Sequence, residues 1–250
     1  MPLSWPAIIA AALYLSLKGT EVIGRFSLFI IVPLMAALLA LAALTIPIWE
    51  IKRVFPLLGP GALELSETYF IRQAMYGEML SLGLICVYLR KPEHTGKIAL
   101  WTAIISMMVL TVTVFTTQVS MPYPTLVRQS VPYLRLARLI YLNRFFQRVD
   151  ALFVIVWLGD GIMKTAIAAY IASLTIAAIL RLKTYKPLLV ATAAIIGVVA
   201  HMIPGVGETI ILNFDIIRPY SVILLYGWPW LLVLLGMVRK AQKPQEAGTR

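Results

Sequence analysis

The sequence predicts an all-α integral membrane protein with about seven transmembrane helices, and three observations carry that prediction. The 250 residues are 60% hydrophobic and only 13% charged, more apolar surface than one soluble core of this length hides. Mean hydropathy is +0.87, and the apolar residues gather in runs that can satisfy their own backbone hydrogen bonds inside lipid. Lys and Arg fall mainly in short segments between those runs, where they act as loop charges and orientation determinants. The net charge of +11 therefore lacks the basic face of a soluble nucleic-acid-binding module, and no nucleic-acid partner is expected. The single cysteine, Cys86, lies in an apolar segment and can form no intrachain disulfide.

Residues 4–23 form the first span, interrupted near its end by Lys18 and Glu21. Three positions apart, these two can pair on one helix face, or Lys18 can snorkel to the interface. Neither a basic n-region nor a small-residue cleavage site precedes the run, so this helix is expected to be retained. Residues 26–47 supply the second span, with Pro33 placed to kink the helix rather than end it. Residues 45–76 mix Glu50, Lys52, Arg53, Glu64, Glu67 and Arg72 with Trp49, Phe55 and Tyr69. That mixture is too charged to span and too apolar for a disordered linker, which predicts a re-entrant or interface-lying excursion.

The apolar run at 79–89 is short for a crossing. A helix over 68–89 that breaks at Gly77 has enough length. It then brings Tyr76, Gly77 and Glu78 to the point where the chain meets hydrocarbon. A discontinuous membrane helix frees backbone groups to face a buried ligand, so these three are the ligand-binding candidates. The plainer alternative is a short helix with an interfacial Glu78.

The span at 98–117 is rich in hydroxyls, Thr102, Ser106, Thr111, Thr113, Thr116 and Thr117, whose commoner use is packing between helices. Beyond it, Arg128, Arg135, Arg138, Arg144 and Arg148 interleave with apolar residues, and residues 131–146 read as an amphipathic segment lying in the membrane surface. Without a nearby acid, the arginines favour anionic headgroups or an acidic partner surface. The longest apolar tract, 149–180, holds Asp150, Asp160 and Lys164. Asp160 and Lys164 stand at i, i+4 and form a possible charge pair on one helix face; ionisable residues within a span are functional candidates.

A span at 187–203 contains Gly197, which permits close helix contact, and His201 near its end. One histidine without a companion makes no metal site, and no His, Cys, Asp and Glu cluster has ligand spacing. Residues 205–219 read as a polar connector with Glu208, Asp215 and Arg218. Residues 220–238 are the last span, belted by Trp228 and Trp230, and 239–250 form a polar tail. Seven crossings place the chain ends on opposite sides, and the short basic loops fall with the C-terminus, which is predicted cytoplasmic.

Several local sequences together resemble a known family: Gly19-Thr20-Glu21-Val22-Ile23-Gly24-Arg25, Phe55-Pro56-Leu57-Leu58-Gly59-Pro60-Gly61, Gly77-Glu78, and Arg148-Val149-Asp150 ahead of Trp157. Their order and spacing are similar to the B subunit of spore germinant receptors, the GerAB-type spore permeases of the amino acid permease superfamily. That resemblance implies a ten-helix fold of two inverted five-helix repeats, of which this chain matches roughly helices four to ten. The expected fold is then a truncated inverted-repeat, LeuT-like permease with one broken helix and one surface amphipathic helix. It implies that residues 68–89 are the sixth helix, facing a first helix across the ligand site. Gln147 stands where the family carries an acid before arginine.

The function so implied is a membrane subunit of a spore germinant receptor, sensing a small nutrient such as an amino acid during germination. Its partners would be membrane lipid, an A-type membrane subunit, a C-type lipoprotein and the small-molecule germinant, and its location the spore inner membrane. The alternatives are an amino acid or small-solute permease, with Glu78 or Asp160 and Lys164 as coupling charges, and a non-binding scaffold or truncated paralogue. An enzyme is not expected, because nucleophile elbow, zinc spacing and phosphate loop are all missing from the sequence, and no cofactor is implied.

Overall fold

A computed structural model describes residues 4–56, 61, 63, 66, 80–86, 92–140, 149–203 and 205–242. Every regular element among them is helical. Four are long and apolar enough to cross a membrane: Thr20–Ile48, Thr95–Ser120, Phe153–Ile179 and Gly207–Val238. The chain divides into two compact units, one of Met1–Phe55 with Gly96–Pro204, the other of Pro56–Thr95 with Gly205–Arg250.

In the first unit, α1 (Ser4–Lys18) and α2 (Thr20–Thr45) are separated by Gly19 alone. Gly19 takes φ +87°, a left-handed value that glycine adopts without the penalty of a Cβ. This break overturns the pairing of Lys18 with Glu21, because the two residues no longer share a helix. Lys18 instead lies over the Tyr14 ring, 5.4 Å from its centroid. Glu21 accepts a 2.7 Å hydrogen bond from Arg25 one turn into α2.

Helix α7 (Val149–Ile179) runs antiparallel to α2, as two separate cores require. At one end Ile23 of α2 packs with Ala166 and Tyr170 of α7 and with Ala12 and Leu15 of α1. At the other, Leu41 of α2 packs with Phe153 of α7 and with Met121, Tyr133, Leu136, Ala137 and Ile140. Between the cores the helices close on each other where a Cβ on Gly159 would stand 2.6 Å from Ile30 Cδ1. Helix α8 (Lys186–Met202) completes the layer and approaches α1 at Gly197, where a Cβ would meet Ile9 Cδ1 at 2.9 Å. Small residues thus set the interhelical spacing, as they do when lipid supplies no hydrophobic drive for association.

Buried hydroxyls join the same helices. Ser16 Oγ reaches the Ala12 carbonyl at 2.7 Å and the Ala166 carbonyl at 2.9 Å. Ser173 Oγ and Thr192 Oγ1 lie 2.8 Å apart between α7 and α8. By contrast, Thr111, Thr113 and Thr117 on α4 (Thr95–Ser120) donate to carbonyls three or four residues back in their own helix.

Two short helices, α5 (Tyr123–Val127) and α6 (Pro132–Leu139), follow α4. Helix α6 has the amphipathic pattern, but its apolar side is buried on protein: Tyr133, Leu136 and Ala137 sit in the core with Leu41, Met121 and Phe153. The reading of an apolar face laid into lipid is corrected for these residues, because α2 and α7 already cover it. The continuation at 141–148, with Arg144 and Arg148, lies outside the described residues. Tyr133 donates from its hydroxyl to the Leu38 carbonyl at 2.9 Å, and burial pushes its pKa up to about 12. The hydroxyl therefore remains a donor through the physiological range, and the linked stability is lost only as pH rises from 10 through 12. Tyr133→Phe should lower stability by about 0.5–1.5 kcal/mol, the net worth of one hydrogen bond, measured by thermal unfolding of the purified protein near neutral pH.

In the second unit, α3 (Leu80–Ile85) falls within the stretch 68–89 expected as a broken helix, of which 68–79 and 87–89 lie outside the described residues. Residues 205–219, expected as a connector, are helical from Val206 on: α9 (Val206–Ile211) passes through a π-helical segment at Leu212–Ile217 into α10 (Arg218–Gln242). One of the polar groups, Arg218, is met locally. Arg218 Nε donates to Asn213 Oδ1 at 2.8 Å, and its guanidinium lies 4.0 Å from the Phe214 ring centroid.

Candidate functional site

The sequence Gly159-Asp160-Gly161 lies in the interior of α7, opposite Ile30 of α2 and between the two cores. Without a Cβ on Gly159 the backbone of α7 comes close to α2, and Asp160 follows on the adjacent position. Its carboxylate is 18% exposed and stands 3.7 Å from Lys164 Nζ, whose side chain is 57% exposed. That separation is an ion pair but longer than a hydrogen bond. Having the acid four residues before the base is the favourable order along a helix.

The depth of this pair follows from length. At about 1.5 Å per residue, Asp160 lies about 17 Å and Lys164 about 23 Å from the start of α7 at Val149. A hydrocarbon layer of about 30 Å, slid anywhere along a helix of about 46 Å, always contains both residues. If α7 crosses as one straight helix with its ends outside the layer, both residues fall within the hydrocarbon. In hydrocarbon an unpaired charge is costly, and a carboxylate and an ammonium on one face offset part of that cost.

Tyr76, Gly77 and Glu78 lie outside the described residues, and so does Arg148. Asp150 belongs to the first turn of α7. His94 and His201 are both exposed, on separate elements. Among the described residues no group of three His, Cys, Asp or Glu side chains could hold a metal ion.

A second polar cluster, not anticipated from sequence, joins the end of α2 to the end of α4. Two short 3-10 turns, Ile46–Ile48 and Ile51–Val54, follow α2. From them Glu50 donates its backbone N–H to the Val119 carbonyl at 2.9 Å, and Arg53 Nη1 donates to the same oxygen at 3.2 Å. Arg53 Nη2 also holds Glu50 Oε1 at 2.7 Å. Trp49 Nε1 donates to the buried Thr45 Oγ1 at 3.1 Å, and its ring meets Phe115 edge-on at 5.6 Å. The Val119 carbonyl is one of the orphan acceptors at a helix C-terminus, and a guanidinium suits it. In sequence, the only trace of this joint is the i, i+3 spacing of Glu50 and Arg53 beside Trp49. Close by on α4, Thr116 Oγ1 and Ser120 Oγ are buried without a hydrogen-bond partner among the described residues.

Comparison with known proteins adds one finding. Residues 6–205 match the spore permease family model, described as spore germination protein. No curated protein matches the chain, and no solved structure does.

Proposed function

The chain belongs to the spore germination permease family, and from that premise we propose that it is a membrane subunit of a germinant receptor that senses a small nutrient such as an amino acid. The observation that carries this reading is the extent of the family match, which takes in nearly all of α1 and the whole of α2–α8. The helices then correspond to helices four to ten of an inverted-repeat, LeuT-like fold, with seven crossings, 68–89 as the broken helix and the C-terminus in the cytoplasm. Tyr76, Gly77 and Glu78 present freed backbone and a carboxylate to the nutrient. An A-type membrane subunit and a C-type lipoprotein in the spore inner membrane relay the bound state.

Gly77 is the position to test. A Gly77→Trp chain should reach the membrane at the wild-type level while spores carrying it lose the nutrient response, because an indole would fill the space freed at the break. An unchanged germination response would overturn the assignment of the site.

The Asp160–Lys164 pair favours a second reading, a permease that moves an amino acid or another small solute. A charge pair within a span suits coupling to ion or proton movement. Proteoliposomes separate the two readings: a permease accumulates labelled solute, whereas a sensor binds it without accumulation.

A further inference from the structure

The end of the first unit where α2, α4, α5, α6 and the start of α7 meet is rich in exposed basic side chains. Between Glu93 and Asp150 the sequence has no Asp or Glu. Lys52, Arg128 and Arg135 are exposed. Glu50, the acid closest to Lys52 in sequence, is already held by Arg53.

Where this charge sits is fixed by packing. Helix α6 is seated on Leu41, near the end of α2, on Met121, just past the end of α4, and on Phe153, one turn into α7. It therefore rides on the end turns of three membrane-spanning helices, at the level where hydrocarbon gives way to headgroups. Arg135 projects from the opposite, exposed side of α6. Lys52 is tied to the same end because Glu50 and Arg53, on either side of it, both hold the Val119 carbonyl. Around these cations Ile51, Phe55, Tyr123, Val127 and Leu139 are exposed and apolar or aromatic. A surface that alternates guanidinium and ammonium groups with apolar side chains at the edge of the hydrocarbon matches a phospholipid, whose phosphate and upper acyl chain meet at that level. A water-exposed acidic protein would complement the charges but not the apolar residues between them.

We propose that Lys52, Arg128 and Arg135 form a binding surface for the phosphates of anionic phospholipid headgroups. The site goes beyond nutrient recognition and does not depend on it. Because α6 is held by protein on its apolar side, the arginine is presented in place before lipid arrives, and the lipid does not have to order the helix.

The test uses the purified full chain in neutral detergent, titrated with phosphatidylglycerol or phosphatidylcholine, with retained lipid counted by native mass spectrometry. Each basic residue near the surface should favour phosphatidylglycerol about fivefold, and the three together on the order of a hundredfold at low salt. The triple variant K52Q/R128Q/R135Q should bring the ratio close to one, while K52R/R128K/R135K should keep it. All three side chains lie outside the two cores, so unfolding of the glutamine variant in phosphatidylcholine should match wild type. Should that variant fail to fold, the charge-keeping variant and a rise in salt still decide: the preference must survive the first and shrink with the second. Equal retention of the two lipids by the wild type overturns the proposal. So does capture of polyglutamate in place of phosphatidylglycerol through the same three residues, which would mark an acidic protein as the partner.

Discussion

Asparagine at position 160 is expected to destabilise the chain in a bilayer by about 2.5–3.5 kcal/mol, the cost of a lysine at the centre of a membrane helix. The carboxylate is what Lys164 faces at 3.7 Å, and the amide that replaces it carries no charge to offset the ammonium. Snorkelling of the Lys164 stem moves the result towards the lower end of that range, because its side chain is already more than half exposed. The measurement is unfolding of the reconstituted protein, wild type against Asp160→Asn. A paired substitution sharpens it: Asp160→Leu with Lys164→Met removes both charges and should recover the lost stability. If the pair also couples solute movement, the apolar double variant stays folded but loses that activity. Equal stability of wild type and Asp160→Asn would show that the pair lies outside the hydrocarbon.

A phenylalanine introduced at position 159 is expected to force α2 away from α7, at about 1–3 kcal/mol for overpacking. A Cβ at that position stands 2.6 Å from Ile30 Cδ1, 3.4 Å from Cγ1 and 3.7 Å from Cγ2. Alanine is a much smaller perturbation, since the nearest atom is the free end of a flexible side chain that can rotate aside. A ring cannot be met that way, because both cores already fix α2 against α7 on either side of the contact. The check is a size exchange: Ile30→Ala should restore much of the melting temperature lost by Gly159→Phe. If Ile30→Ala lowers stability further in the Gly159→Phe background, the ring and the Ile30 side chain do not share the space.

The long apolar runs were legible because membrane length and composition constrain them so strongly. Helices α2, α4 and α7 all fall on such runs. The alternation of Arg and Leu in 131–146 disclosed an amphipathic pattern for the same reason, since a helix period shows in any sequence that uses it. What that pattern could not disclose was the medium on the apolar side: Leu136 and Ala137 are equally suited to lipid and to a protein core, and here α2 and α7 cover them. Lys18 and Glu21 had a helical spacing that was not used, because a single left-handed glycine decides whether two residues belong to one helix. The helix at 206–217 was hidden by its polar residues. Arg218, Asn213 and Phe214 satisfy one another only after the helix exists. The Val119 joint was hidden for a different reason, being built on a carbonyl that sequence does not distinguish from any other.

The two acceptors of Ser16 have a consequence for how the chain is made. One, the Ala12 carbonyl, is four residues away; the other, the Ala166 carbonyl, is separated by 150 residues. At roughly 5–20 residues per second, a ribosome needs about 8–30 s to supply the second after the first. Throughout that interval α1 resides in the bilayer with its hydroxyl already bonded to its own backbone, so no unmet polar group disfavours early insertion. When α7 arrives, the hydrogen moves between oxygens at nearly the same distance. The contact that locks the first helix to the seventh is thus one that the first helix can wait for.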